Sequence, residues 1–189
     1  GAIYTQSPGE LDMRNCLIAT NTTRSANITG GIVAGGDGVV VKLENVTVAD
    51  NEYIGIQQTG NAMVTVKNSI LWNNGVDSTG TVTISWSDIG NSGDYTDGGG
   101  NTNVTPDFVD NTYYHLKSTE ANYVGGFFSG GSWSASVVHS PVIDAGDTNS
   151  VFSLEPYYNG ERINMGAYGN TPVASRTTAP PSGSVFILF

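Results

Sequence analysis

A short pattern recurs along the first half of the chain and restricts the fold more than any other feature. Each copy has two aliphatic residues two positions apart, then an asparagine two positions later, and another aliphatic residue three positions after that. The asparagines are Asn15, Asn45 and Asn68, and Trp86 replaces asparagine in a fourth, weaker copy. The copies are 30, 23 and 18 residues apart. Spacings of this size are typical of proteins that stack one structural unit on the next.

The aligned columns of the repeat predict a β-strand with one buried face. Polar residues separate the first two aliphatic columns, and this alternation has the two-residue period of a strand. Asparagine tolerates a left-handed backbone, so we expect a sharp bend between two short strands in each copy. The aliphatic columns are Leu11, Val41, Val64 and Val82, then Met13, Leu43, Val66 and Ile84, and after the bend Ile18, Val48, Leu71 and Ile89.

This order of strand, bend and strand predicts a parallel β-solenoid in which equivalent residues lie above one another. We expect Asn15, Asn45 and Asn68 to form a structural ladder through their side-chain amides. A second polar column follows six positions later, at Asn21, Asn51, Asn74 and Ser92. An antiparallel β-sandwich of short strands is the alternative, but it does not explain why like residues recur in one column.

The charge of the chain excludes several classes of partner. There are 17 acidic and 7 basic residues, for a formal net charge of −10. Binding to nucleic acid or to anionic lipid requires clustered lysine and arginine, which this sequence lacks. The apolar runs are also too short to span a bilayer, so we expect no membrane insertion in this segment.

Six short motifs follow one another through the second half, at residues 68–74, 86–89, 106–110, 114–116, 140–147 and 162–168. Their order resembles the closing part of secreted or cell-surface right-handed β-helix repeat proteins of bacteria and archaea, over roughly residues 11 to 175. The resemblance implies an all-β fold, a right-handed parallel β-helix (solenoid) with an irregular, loop-rich C-terminal cap. It also implies an extracellular or cell-surface location.

On this basis the chain divides into three parts. Residues 1–92 are predicted to form parallel β-helix rungs, and residues 93–175 the loop-rich C-terminal rungs and cap of the same domain. Residues 176–189 are predicted to be a linker or a terminal apolar strand, because a Pro- and Ser-containing stretch precedes the apolar residues Val185 to Phe189.

Three functions agree with this fold. We favour a non-catalytic extracellular module that serves as a surface scaffold, in adhesion or in contact with a polysaccharide or cell-surface glycan. A calcium-dependent polysaccharide lyase or glycoside hydrolase is the second hypothesis, since relatives of the fold include such enzymes. The third is a self-assembling filament or surface-layer element, because the open ends of a solenoid expose unpaired strand edges that favour self-association.

Weak catalytic candidates lie in one outward-facing column of the repeat, at Arg14, Glu44 and Lys67. Stacked strands would bring these side chains about 5 Å apart. A lyase needs a base and carboxylates of this kind. An alternating ladder of surface charges is the simpler interpretation, and it is the one we favour.

Weak calcium candidates lie in the Gly- and Asp-rich region that follows the repeat, where Ca²⁺ would take its oxygen ligands from carboxylates. The spacing is not that of an EF-hand, and the alternative is a set of solvated turns in which Asp supports local bends. The four residues are Asp94, Asp97, Asp107 and Asp110.

Aromatic side chains are the candidates for glycan contact, because an exposed ring can stack on a sugar. We single out Trp72, Trp86 and Tyr95, with coverage of the solenoid end as the alternative role. His115, between Tyr114 and Leu116, is expected on the outward face of a strand.

Overall fold

The computed structural model describes residues 2–6, 8–22, 30–90 and 93–177 of the chain. Over these residues the protein is all-β and contains no α-helix. Accordingly, no helix in the described part has the length and apolar character needed to cross a bilayer. The strands are β1 (Ile3–Thr5), β2 (Gly9–Ala19), β3 (Ile32–Gly35), β4 (Val39–Ala49), β5 (Ile54–Thr59), β6 (Met63–Lys67), β7 (Ile70–Trp72), β8 (Val76–Thr79), β9 (Val82–Ser85), β10 (Asp88–Ile89), β11 (Thr96–Asp97), β12 (Asn122–Val124) and β13 (Ser132–Ser134).

Two parallel sheets contain most of these strands, and the chain passes back and forth between them. The first sheet has the order β1-β3-β5-β8, and the second joins β2, β4, β6, β7, β9, β10 and β11. Strand β4 pairs with β6 through its first half and with β7 through its second half. Every pairing within these two sheets is parallel. The alternative of an antiparallel sandwich is therefore wrong for this region.

The strand register confirms the aliphatic columns predicted from the repeat. Leu11, Val41, Val64 and Val82 are successive partners across β2, β4, β6 and β9, and Met13, Leu43, Val66 and Ile84 are the next such set. In β4, β6 and β9 these side chains are at most 2% exposed. These columns form the main core. Burying one such side chain contributes about 1.5–3 kcal/mol, so the columns are a main source of stability. In β2, which pairs only with β4 among the described strands, Leu11 and Met13 are half-buried.

The bends predicted at the asparagine column are also confirmed. The backbone is left-handed at Asn15, Asn45, Asn68 and Trp86, with φ between 49° and 51°. Asparagine adopts this region at low cost because its short polar side chain makes local hydrogen bonds. A second left-handed column, at Thr20, Asp50 and Asn73, turns the chain again with φ between 53° and 56°.

The amide ladder lies in the second asparagine column, so its predicted position at Asn15, Asn45 and Asn68 was wrong. Asn21 Nδ2 donates to Asn51 Oδ1, and Asn51 Nδ2 donates to Asn74 Oδ1, each over 2.8 Å. Asn74 Nδ2 then donates to Asp77 Oδ1 over 2.7 Å. This amide ladder is buried at Asn51 and Asn74, where the carbonyls of Ile18 and Val48 accept further bonds.

The bend asparagines bond instead to a C-terminal segment, which we define as residues 103–177. Asn15 Nδ2 donates to the carbonyls of Ala167 and Gly169, and Asn45 Nδ2 to those of Asn164 and Gly166. Asn45 Nδ2 also donates to the main-chain carbonyl of Asn68 over 3.3 Å, but no side chain of these three asparagines bonds to the side chain of another. The left-handed backbone at the bend points these amides away from the interior. The C-terminal segment lies on that outer side and supplies the acceptors.

The C-terminal segment is largely irregular, as expected for a loop-rich region, and it includes the antiparallel hairpin β12–β13. It packs on the outer face of the second sheet beyond the bend. Ile70 on that face contacts Leu116, Val142, Ile143 and Met165, and Leu17 packs on a cluster with Tyr123 and Tyr168. The terminal strand or linker predicted at 176–189 lies outside the described residues from residue 178 onward.

Candidate functional site

Two of the six sequence motifs meet over the bends and hold the C-terminal segment in place. From the motif at 140–147, the Asp147 N–H donates to Asn68 Oδ1 over 2.7 Å. From the motif at 162–168, the N–H groups of Gly166 and Ala167 donate to Asn68 O and Thr47 Oγ1. The motifs also bond to each other, because Gly146 donates to Ile163 O and Met165 donates to Val142 O. Their role here is to attach the segment to the sheet.

Glycine is required where this attachment is tightest. A Cβ atom at Gly169 would lie 2.1 Å from Asn45 Nδ2, and one at Gly166, where φ is 86°, would lie 2.8 Å from Thr47 Oγ1. Any other residue at these positions would push the segment away from the bend asparagines.

The column of Arg14, Glu44 and Lys67 is aligned across β2, β4 and β6 as the repeat predicts. Arg14 Nη1 lies 3.3 Å from Glu44 Oε2, which is the opposite-charge contact expected of a surface ladder. Lys67 Nζ turns to the C-terminal segment and lies 2.6 Å from Asp147 Oδ2. That contact lowers the pKa of Asp147, chiefly through its hydrogen bond with Lys67.

A small cavity lies beside this column but does not unite its three members. It encloses about 170 Å³ and is lined by Arg14, Asn15, Glu44, Asn45, Val151, Ile163 and Asn170. Lys67 is not part of the lining, and its ammonium group is already paired. The arrangement therefore provides a neutralised charge column with no free base among these three candidates.

The four aspartates weighed for calcium are not gathered at one point. Asp97 Oδ1 accepts from the Gly99 N–H and from Asn101 Nδ2, and Asp110 Oδ1 accepts from the N–H groups of Thr112 and Tyr113. Asp94 is exposed, and Asp107 has a left-handed backbone. Nowhere in the described ranges do three or more His, Cys, Asp or Glu side chains form a group able to hold a metal ion. Asp97 and Asp110 stabilise turns.

The three aromatic candidates for glycan contact are half-buried, and each is in contact with neighbouring protein atoms. The Trp72 ring lies against Gly90, where an added Cβ would be 2.3 Å from the ring. Trp86 is in contact with Gly100, and the Arg162 guanidinium lies 5.4 Å from its ring centroid. Tyr95 packs against the main core. Sugar stacking at these rings stays a prediction.

Two buried carboxyl groups, Asp88 and Glu155, and the half-buried Asp144 lie outside the predicted sites. Burial raises the pKa of Asp88 to about 6 and that of Asp144 and Glu155 to about 7. Glu155 Oε1 accepts from the N–H groups of Asn164 and Asn170, whereas no described residue bonds to Glu155 Oε2. Removal from water disfavours the charged form of each of these groups.

Stability is expected to fall as pH rises from about 4.5 to above 7. A carboxyl whose pKa is higher in the folded state binds its proton more tightly there. Its contribution to stability is therefore complete at a pH below its pKa in the unfolded chain, and it is lost at a pH above its pKa in the folded protein. For Glu155 the loss is up to about 3 kcal/mol, since one pKa unit corresponds to about 1.4 kcal/mol. In Glu155→Gln, urea unfolding measured from pH 5 to pH 8 should show a shallower decline than in the wild type.

The matched control is Glu120→Gln, which makes the same chemical change at an exposed position. It should retain the pH dependence of the wild type. If the two variants had the same pH dependence, Glu155 would not be the buried titrating group.

His115 is buried, so its predicted place on an outward face was wrong. It is 1% exposed and stacks on Tyr168 with ring centroids 3.6 Å apart. Its Nε2 donates to the carbonyls of Gly126 and Phe127 over 2.9 and 3.1 Å. Burial lowers the pKa of His115, which favours the neutral ring. The side chain is covered because the hairpin β12–β13 folds over it, and the local sequence does not indicate that contact.

A larger cavity, which we call the side cleft, opens between the end of β2 and the C-terminal segment. It encloses about 520 Å³. Three separate stretches of chain meet there, so no local pattern could have identified it. In the sequence, only the glycines around Phe127 and Phe128 indicate an irregular loop that presents aromatic side chains. The side cleft is lined by Leu17, Ala19, Thr20, Asn111, Thr112, Tyr114 and Phe127.

No family model, no curated protein and no solved structure matches the chain.

Proposed function

We propose that this chain is part of a right-handed parallel β-helix in an extracellular or cell-surface protein, where it acts as a non-catalytic scaffold. The observation that carries the proposal is the unbroken register of β2, β4, β6 and β9, with like residues paired at each step. The chain returns to each sheet after visiting the other, which is the path of a solenoid. Parallel crossover connections are right-handed in nearly all proteins, and this supports the handedness.

The distribution of polar contacts supports a structural role over a catalytic one. The amide ladder satisfies buried polar groups between successive strands, which makes the stack rigid. Arg14 is paired with Glu44, and Lys67 with Asp147. A scaffold of this kind presents its outward side chains at the regular spacing of paired strands.

Turnover assays separate this proposal from the polysaccharide lyase or hydrolase alternative. The chain, incubated with acidic and neutral polysaccharides with and without calcium, is expected to produce neither unsaturated-uronide absorbance nor new reducing ends. Lys67→Ala and Glu44→Gln should give the same baseline as the wild type. Product that is formed by the wild type and lost in Lys67→Ala would overturn the proposal and make Lys67 a catalytic candidate again.

Self-assembly is the second candidate, and the edge of β2 that has no partner among the described strands favours it. This strand has eleven residues and pairs only with β4 among the described strands. Asn21 is the first asparagine of the amide ladder and donates to Asn51, and no described residue donates to its own side-chain oxygen. An exposed strand edge of this length can pair with another chain. A solution mass above that of one chain, measured by light scattering, would favour this candidate.

A further inference from the structure

We propose that the side cleft binds a neutral glycan, with one sugar ring held against Phe127 and its hydroxyl groups near Asn111 and Thr112. The inference rests on the proposed scaffold function, because it supplies the contact by which a non-catalytic module would stay on a surface polymer. The side cleft is separate from the two tryptophans proposed for glycan contact, because neither Trp72 nor Trp86 lines it.

The chemistry of the lining matches a sugar that carries no charge. Leu17, Ala19 and the Phe127 ring provide an apolar wall, while the hydroxyl group of Thr112 and the amide of Asn111 provide hydrogen-bonding groups. Among the described residues, no lysine, arginine, aspartate or glutamate lines the side cleft. Its volume falls within the range of about 300–1,000 Å³ typical of small-molecule sites. The net charge of −10 disfavours uronic or sulfated sugars, which would be repelled.

Two residues that line the side cleft have left-handed backbone. Thr20 has a φ of 56° in a column that otherwise contains Asp50 and Asn73, which are better suited to left-handed backbone. Tyr114, on the opposite side, has a φ of 59° and is held by a 2.6 Å bond from its hydroxyl to Asp50 Oδ2. Such strain is concentrated at ligand-binding positions in proteins. Here two strained residues face the same opening.

Phe127 is exposed for contact and yet fixed in place. Its ring is 47% exposed and packs edge-on against Tyr113 with centroids 4.8 Å apart. The carbonyls of Gly126 and Phe127 both accept from the buried His115 ring, which anchors this part of the loop. A ring held in this way loses little conformational entropy when a ligand stacks on it.

Phe128 provides a matched control because it is the next residue and is equally exposed, at 48%. Its ring packs toward Tyr168, with centroids 5.1 Å apart, and does not line the side cleft. Replacing Phe128 therefore removes a similar aromatic side chain from the same loop and leaves the proposed platform intact.

The test is calorimetric titration of the full chain with cellohexaose, laminarihexaose and mannohexaose, and with hexagalacturonate as the acidic probe. We expect saturable binding of at least one neutral oligosaccharide and weaker or no binding of hexagalacturonate. Phe127→Ala should weaken binding about tenfold or more, and Phe128→Ala should change it by less than about twofold. Asn111→Ala, on an exposed side chain, should also weaken binding and serves if Phe127→Ala does not fold.

Several results would overturn the inference. These are no binding of any neutral oligosaccharide, equal binding by the wild type and Phe127→Ala with wild-type thermal unfolding, and tighter binding of hexagalacturonate than of the neutral sugars. Displacement of bound sugar by an apolar peptide at lower concentration would identify a peptide site instead. A chain that binds no sugar but shows no turnover would lose this inference and keep the scaffold proposal.

Discussion

Replacing Leu43 with alanine is expected to reduce the free energy of unfolding by about 2–5 kcal/mol. Leu43 is 2% exposed and lies between Met13 of β2 and Val66 of β6, so truncation leaves a cavity that neighbours on both sides cannot fill. Urea unfolding followed by circular dichroism measures the effect. The lost stability should appear as a lower midpoint with little change in the slope of the transition.

Two matched variants show whether the loss follows from position in the stack. Met13→Ala removes a half-buried side chain from the same column at the edge strand β2, so its cost should be clearly smaller. Met63→Ala removes a 62% exposed side chain from β6 and should change stability by no more than about 0.5 kcal/mol. Equal losses in Met13→Ala and Leu43→Ala would contradict a closed interior at β4.

Asn51→Ala is expected to cost about 2–4 kcal/mol, which is unusually large for a single polar side chain. Asn51 is 1% exposed and lies in the middle of the amide ladder. Its Oδ1 accepts from the backbone and side-chain nitrogens of Asn21, and its Nδ2 donates to Ile18 O and Asn74 Oδ1. Removing the amide leaves several of these groups without partners where water has little access. Thermal or urea unfolding measures the loss.

Asn51→Asp keeps the shape of the side chain and replaces its donor nitrogen with an acceptor oxygen. The carboxylate would face two acceptors, Ile18 O and Asn74 Oδ1, so the variant should be much less stable than the wild type near neutral pH. Because burial favours the protonated acid, the deficit should shrink as pH is lowered. The control is Asn61→Ala, whose amide bonds to Asp37 at the surface, and it should cost about 0.5 kcal/mol or less. A similar loss of unfolding free energy in Asn51→Ala and Asn61→Ala would show that the amide ladder stabilises the fold no more than a surface hydrogen bond does.

The interior of the stack was predictable because its determinants are local and periodic. Aliphatic residues at every second position identify the buried face of each strand, and an asparagine identifies where the strand bends. Register then follows, since a shift of one residue would turn the aliphatic columns to solvent. The paired columns from Leu11 to Val82 and the left-handed backbone at Asn15, Asn45 and Asn68 both agree with this reasoning.

The positions that were predicted incorrectly all depend on contacts between distant parts of the chain. Two asparagine columns have the same spacing in the sequence. The amide ladder forms in the column whose side chains face the asparagines of the neighbouring copies. The other faces the C-terminal segment, where Asn45 bonds to Asn164, 119 residues away. His115 is buried by the hairpin that follows it, and Lys67 pairs with Asp147 across 80 residues.

The parallel strands, their buried columns and their bends follow from local sequence, because side-chain periodicity and the tolerance of asparagine for left-handed backbone act within a few residues. Long-range contacts set where the C-terminal segment lies, which asparagines form the amide ladder, which acids are buried and where the side cleft opens. Those outcomes depend on the packing of irregular chain against the outer face of the sheet, and irregular segments have no period that reveals their partners.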